Sequence, residues 1–157
     1  MSLRLETETH VGASAEAVWS RLADWAGQSD WIPMTTVTVL TDRREGLGVR
    51  ASALSGIQLG RLPLGLLDRF VVTGWTPPGD GAGELEVLHL GPYFTGPGVF
   101  RVEPTGPRSS SVSCTEVFDL PGGRPVEAAA SLMLPIMRAG LRRSLRSLGR
   151  LVEAEAS

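Results

Sequence analysis

"PVEAAASLMLPIMRAGLRRSLRSLGRLVE", Pro125–Glu153, carries the longest helical period in the chain. Val126, Ala130, Met133, Met137, Leu141, Leu145, Leu148 and Val152 recur three or four residues apart, which lines one face of an α-helix. "GGRP" starts the helix, with Pro125 where a missing N–H is harmless. Pro135 falls inside, so the spacing predicts a kink there, or a split into a short and a long piece. Helical throughout, the stretch is about 43 Å long, enough to lie across a whole sheet.

Everything before it reads mainly as strand. "LRLETETHV" (3–11) alternates, with Leu3, Leu5, Thr7, Thr9 and Val11 on the inner face. The hydroxyls of Thr7 and Thr9 suit a cavity wall better than a packed core. "TTVTVLT" (35–41), "GVRASAL" (48–54), "DRFVVTGWT" (68–76), "ELEVLHL" (84–90), "GVFRVEP" (98–104) and "SSVSCTEVFDL" (110–120) are the other strand candidates. Turn signals recur about every ten residues, as in an antiparallel meander. "SGIQLGRLPLGLL" (55–67) is apolar and glycine-rich and reads as a loop. From Gly56 to Leu67 it is expected to gate a pocket mouth or to meet a second copy of the chain.

Between the first two strands, "AEAVWSRLADWAGQSDWIP" (15–33) gathers three of the four tryptophans. Ser14 is the expected N-cap, with Glu16 in the first turn, and Gly27 is the expected end. Val18, Trp19, Leu22 and Trp25 or Ala26 form a short apolar stripe. "QSDWIP" predicts one more turn, capped by Ser29 or Asp30 and stopped by Pro33. Trp19 is read as core. Trp25 and Trp31 suit core packing or a pocket wall.

One strand, a short helical pair, six more strands and a long C-terminal helix make an α+β layer arrangement over residues 1–157, one domain. "VGASAEAVWSRLADWAGQSDWIP", "GLGVR", "VVTGWTPPG", "GVFRVEPTG", "VSCTEVFDLP" and the closing amphipathic helix resemble the START/Bet v 1-like (SRPBCC) superfamily, in particular its polyketide cyclase/dehydrase-like branch. The resemblance covers nearly the whole chain. It implies a helix-grip fold: a curved seven-stranded antiparallel sheet around the long C-terminal helix. It also implies a cavity between the two for a hydrophobic, lipid- or polyketide-like molecule.

In "VSCTEVF" Glu116 shares a face with Val112, Cys114 and Phe118, so its carboxylate is expected inside, where it needs a partner or a raised pKa. His89 shares a face with Leu85 and Val87. It is either a hydrogen-bonding core residue or, paired with Glu116, a general base. His89, Glu116 and Tyr93 are the catalytic candidates. Trp31, Trp75, His89, Tyr93, Phe100, Glu116, Met133 and Met137 are the expected ligand-binding residues, and small Ala51 and Ala53 leave room. Cys114 reads as a small core hydrophobe. His10, His89 and Cys114 lack metal-ligand spacing, and no motif asks for a cofactor. "GPYFTGPG" lacks the Lys-Ser/Thr of a phosphate loop.

Apolar residues are 42% and charged residues 20%, a folding composition. A net charge of −2 gives no reason to expect nucleic acid. The arginines at 138, 142, 143, 146 and 150 suit a solvated helix face, and Lys is absent. This Arg-only, Ala/Gly/Leu-rich usage is common in bacteria with GC-rich genomes. No apolar run reaches the ~20 residues of a membrane span. "MSLRLETETH" is not a signal peptide, and lone Cys114 forms no intrachain disulfide, so a cytoplasmic monomer or homodimer is expected. Three functions remain open. The first is binding of a small hydrophobic molecule. The second is a polyketide cyclase/aromatase or dehydratase acting in the same cavity. The third is a cochaperone-like or regulatory module using the basic helix and the apolar loop.

Overall fold

Seven strands alternate between a buried and a wet face and join in one antiparallel sheet. The structure, a computed structural model, describes residues 2–59 and 62–157, with the backbone alone at 57–59 and 62–64. The strands are β1 (Leu3–Val11), β2 (Thr35–Val39), β3 (Arg50–Leu59), β4 (Leu62–Thr76), β5 (Gly83–Pro92), β6 (Thr95–Gly106) and β7 (Ser109–Phe118). Their order is β1-β7-β6-β5-β4-β3-β2, so the first two strands are the opposite edges. The crossing between those edges is made by α1 (Ala15–Leu22) and a 3-10 turn (Ala26–Asp30). The chain closes with α2 (Gly123–Glu155). This is the α+β helix-grip architecture.

Ser14 caps α1 as expected, its hydroxyl accepting the Ala17 N–H at 3.2 Å. The helix buries Ala15, Val18, Trp19 and Leu22. It ends at Leu22, before the expected stop at Gly27. Asp24 competes for the backbone there: its carboxylate accepts the Gly27 N–H at 3.2 Å and starts the second turn. Ser29 and Asp30 therefore lie inside that turn and do not cap it.

The largest revision concerns residues 55–67. Residues 55–59 and 62–67 are strand and not a loop: they belong to β3 and β4, whose pairing runs from Arg50↔Val71 to Leu59↔Leu62. Gly60 and Arg61 of the expected gate lie outside the described residues, as do the side chains of Ile57, Leu59, Leu62 and Leu64. Gly56 faces Gly65 across the ladder, and a Cβ at Gly65 would meet Leu54 Cδ1 at 2.9 Å. Two facing glycines hide a period of two that Leu62, Leu64 and Leu66 otherwise keep.

A second irregularity lies between Val72 and Gly74, where the β4–β5 register shifts. Phe70 and Val72 are buried, and after the bulge Trp75 lies opposite the buried Leu85. Trp75 packs edge-to-face on Trp19, with ring centroids 5.3 Å apart.

α2 runs unbroken through Pro135, with no split. Only its second half is buried, through Ser144, Leu145, Leu148, Gly149 and Val152. Gly149 lies close enough to β1 that a Cβ would sit 3.3 Å from Val11 Cγ2. Glu153 accepts the Gly12 N–H at 2.7 Å, and Arg21 of α1 hydrogen-bonds Glu155. The first half of α2 stands clear of the core, with Met133 at 49%, Met137 at 37% and Leu132 at 80% exposure. Among the described residues, no helix is long and apolar enough to cross a membrane.

Candidate functional site

His89 lies on the inner face of β5 with buried Leu85 and Val87, in the phase expected from sequence. Two neighbours converge on it. Asp68 approaches from adjacent β4, its Oδ2 taking the Nδ1–H at 2.7 Å. Glu116 approaches from β7, two strands away, its Oε2 taking the Nε2–H at 3.0 Å. Asp68 is 8% exposed and Glu116 9%.

Burial alone would lower the His89 pKa, and it is the largest single influence. The hydrogen bonds to Asp68 and Glu116, with their negative charges, together outweigh it and raise the pKa from 6.5 to about 9. At neutral pH the ring is an imidazolium donating both of its protons to carboxylates. Neither nitrogen keeps a lone pair for a metal. The other Glu116 oxygen accepts the Cys114 S–H at 3.6 Å. Burial first, and then the Glu116 charge, push that thiol well above its usual pKa, so Cys114 is an inert core group.

The second Asp68 oxygen, Oδ1, is buried with no hydrogen-bond partner. Such an orphan acceptor is uncommon and costly. Asp68 is among the residues lining a cavity of about 180 Å³ between the sheet and the 3-10 turn. Trp25, Phe70, Phe94 and Phe100 are the aromatic part of its lining, beside Ile32 and Val87. Ala53 and Leu66 of the hairpin, with Thr35 and Ser55, form another side. The Thr35 and Ser55 hydroxyls pair with each other at 2.8 Å. The Phe94 ring lies 5.1 Å from the His89 ring, and Trp25 packs 5.2 Å from Phe70.

Of the residues singled out in the sequence, the fold brings Trp25, Ala53, His89, Phe100 and Glu116 to this cavity. Trp31 is buried outside it, and Trp75 belongs to the Trp19 contact. Tyr93 is 52% exposed while its neighbour Phe94 turns in. Met133 and Met137 do not line it, because that half of α2 stands off the sheet. Ala51, Thr7 and Thr9 are also outside it. Asp68 was missed, although it alternates with Phe70 and Val72 in the same way that Glu116 alternates with Cys114.

A curved antiparallel sheet gripping a long helix, with a cavity on the gripping side, defines a START/Bet v 1-like protein. The chain belongs to the family described as "Polyketide cyclase / dehydrase and lipid transport", whose pattern it matches over residues 2–153. No curated protein matches the sequence. Among solved structures it is similar to the Zhui aromatase/cyclase of a Streptomyces species, at TM-score 0.74 and 17% identity over 100% of this chain and 97% of that one. It is also similar to a norcoclaurine synthase point mutant of Thalictrum in complex with a transition-state analogue, at TM-score 0.69 and 16% identity over 100% and 98% of the two chains. A START superfamily protein of Mycobacterium smegmatis has TM-score 0.65 and 17% identity, over 97% and 95%. At these identities the likeness is one of fold.

Proposed function

We propose that the chain binds a small, mainly apolar molecule in the His89 cavity and holds its polar end through a hydrogen bond to Asp68. One observation carries this reading: Asp68, whose Oδ1 is buried without a hydrogen-bond partner, is among the residues lining a cavity that four aromatic side chains share. An acceptor buried without a partner is relieved when a ligand brings a donor. The volume of about 180 Å³ suits one ring or two fused rings, since an apolar cavity of about 150 Å³ takes benzene. Membership of a family that includes cyclases and lipid carriers supports the same general use. Titration with 1-naphthol, followed by amide NMR, is the test. Saturable shifts at Phe70, Val87 and Phe100 are expected; no saturable shift at millimolar probe defeats the reading.

A second reading, acid–base chemistry on the bound molecule, draws on the pairing of His89 with two carboxylates. Here an Asp68 carboxylate oxygen takes a proton from an acidic carbon, and the imidazolium stabilises the charge that develops. Phenylacetone in heavy water would then gain deuterium at its α-carbon faster with the protein than with His89→Gln. Equal rates would leave binding alone.

A further inference from the structure

We propose that the molecule taken by the His89 cavity is an organic ammonium ion, an arylalkylamine in its protonated form, with the N–H groups directed at Asp68. This deepens the binding reading above and rests on it.

The argument starts from charge. Asp68 and Glu116 bring two negative charges to a wall where His89 brings one positive charge. The remaining lining residues are neutral, so the set carries one negative charge in excess. Among the described residues, no arginine lines the cavity, and the chain has no lysine at all. An uncompensated charge in a group about nine-tenths buried is strongly disfavoured unless a counter-charge arrives.

Geometry says where the counter-charge goes. Both His89 nitrogens are occupied, and one Glu116 oxygen faces His89 while the other faces Cys114. The oxygen left over is Asp68 Oδ1, buried and without a partner. A metal ion is a poor match, since His89 donates at both nitrogens and so ligates nothing. An ammonium group supplies donors and charge together.

The walls agree. Trp25, Phe70, Phe94 and Phe100 all line the same space, and aromatic faces attract a desolvated cation. An anion would meet the excess negative charge with no cation free to offset it.

The test uses the full chain at pH 7.5 and four probes of similar shape: 2-phenylethylamine, 2-phenylethanol, ethylbenzene and phenylacetate. Isothermal titration calorimetry should show the amine binding about tenfold or more tighter than the alcohol, with phenylacetate weakest. Asp68→Asn should bring amine and alcohol together. If that variant does not fold, Glu116→Gln, which removes the excess charge from the other side, should shrink the same preference. Equal binding of amine and alcohol by the unmodified chain overturns the ammonium assignment and leaves the cavity reading standing. If none of the four probes binds, and 1-naphthol does not either, both readings fall.

Discussion

Gly98 lies directly opposite Glu116 in the β6–β7 ladder, and a Cβ on Gly98 would stand 2.5 Å from Glu116 Oε2. The missing side chain lets Glu116 lie across β6 and reach His89 on β5. Gly98→Ala should therefore displace the carboxylate and weaken that hydrogen bond. The expected readout is a lower His89 pKa in an NMR titration of its ring protons. An unchanged titration would show that Glu116 reaches His89 by another path.

Glu116→Gln tests the same pair from the other end. The amide is nearly isosteric but carries no charge, so His89 keeps Asp68 as its sole charged partner. Its pKa should fall from about 9 towards the ordinary 6.5. Because the site is buried, stability should also change by more than the roughly 0.5 kcal/mol typical of surface substitutions. A variant with native pKa and native stability would remove Glu116 from any role here.

The raised His89 pKa has a consequence for stability against pH. The folded value of about 9 lies above the value of 6.5 taken for the unfolded chain, so folding favours the protonated ring. That stabilisation is complete below about pH 6.5 and is lost as pH rises through 9. At most it amounts to about 3 kcal/mol, at 1.36 kcal/mol per pKa unit. The groups facing the ring are Asp68 and Glu116, with Cys114 behind Glu116 and its thiol held well above the usual range. Melting temperature should thus decline between pH 6.5 and 9, and His89→Gln should flatten the decline. A profile equally steep in both proteins would assign it to other groups.

The two halves of α2 should respond differently to truncation. Leu148 is fully buried, and Leu148→Ala should cost about 2–5 kcal/mol in denaturant unfolding. Leu132 is 80% exposed, and Leu132→Ala should stay within about 0.5 kcal/mol. A large loss at Leu132 would mean that another surface covers that half of the helix in solution.

Cys114 should resist alkylation. Burial and the adjacent Glu116 charge both disfavour its thiolate, which is the reacting form. Iodoacetamide should label it at the rate of global unfolding. Rapid labelling of the native protein would point to local opening of β7.

The sequence by itself determined the helices, the strands outside the β3–β4 hairpin, and the inward phase of His89 and Glu116. Side-chain direction alternates with period two along a strand, so Leu85, Val87 and His89, or Val112, Cys114 and Glu116, announce their face without any neighbour. The same rule would have found Asp68 had its strand been read in phase with Phe70 and Val72. Two features defeated local reading because glycine removes the pattern on which it depends. Gly56 and Gly65 disguised the β3–β4 hairpin, and the bulge at Gly74 turned Trp75 onto Trp19. Which half of α2 would be buried was also not local, since one apolar stripe runs its whole length and only the sheet beneath decides where it is covered. The meeting of Asp68, His89 and Glu116 was likewise decided by tertiary structure alone. Their strands lie β7-β6-β5-β4 in the sheet, and only that order, with Gly98 leaving β6 bare, puts two carboxylates on one imidazole. Strand order is set by how distant segments share a core, which no short stretch of sequence encodes.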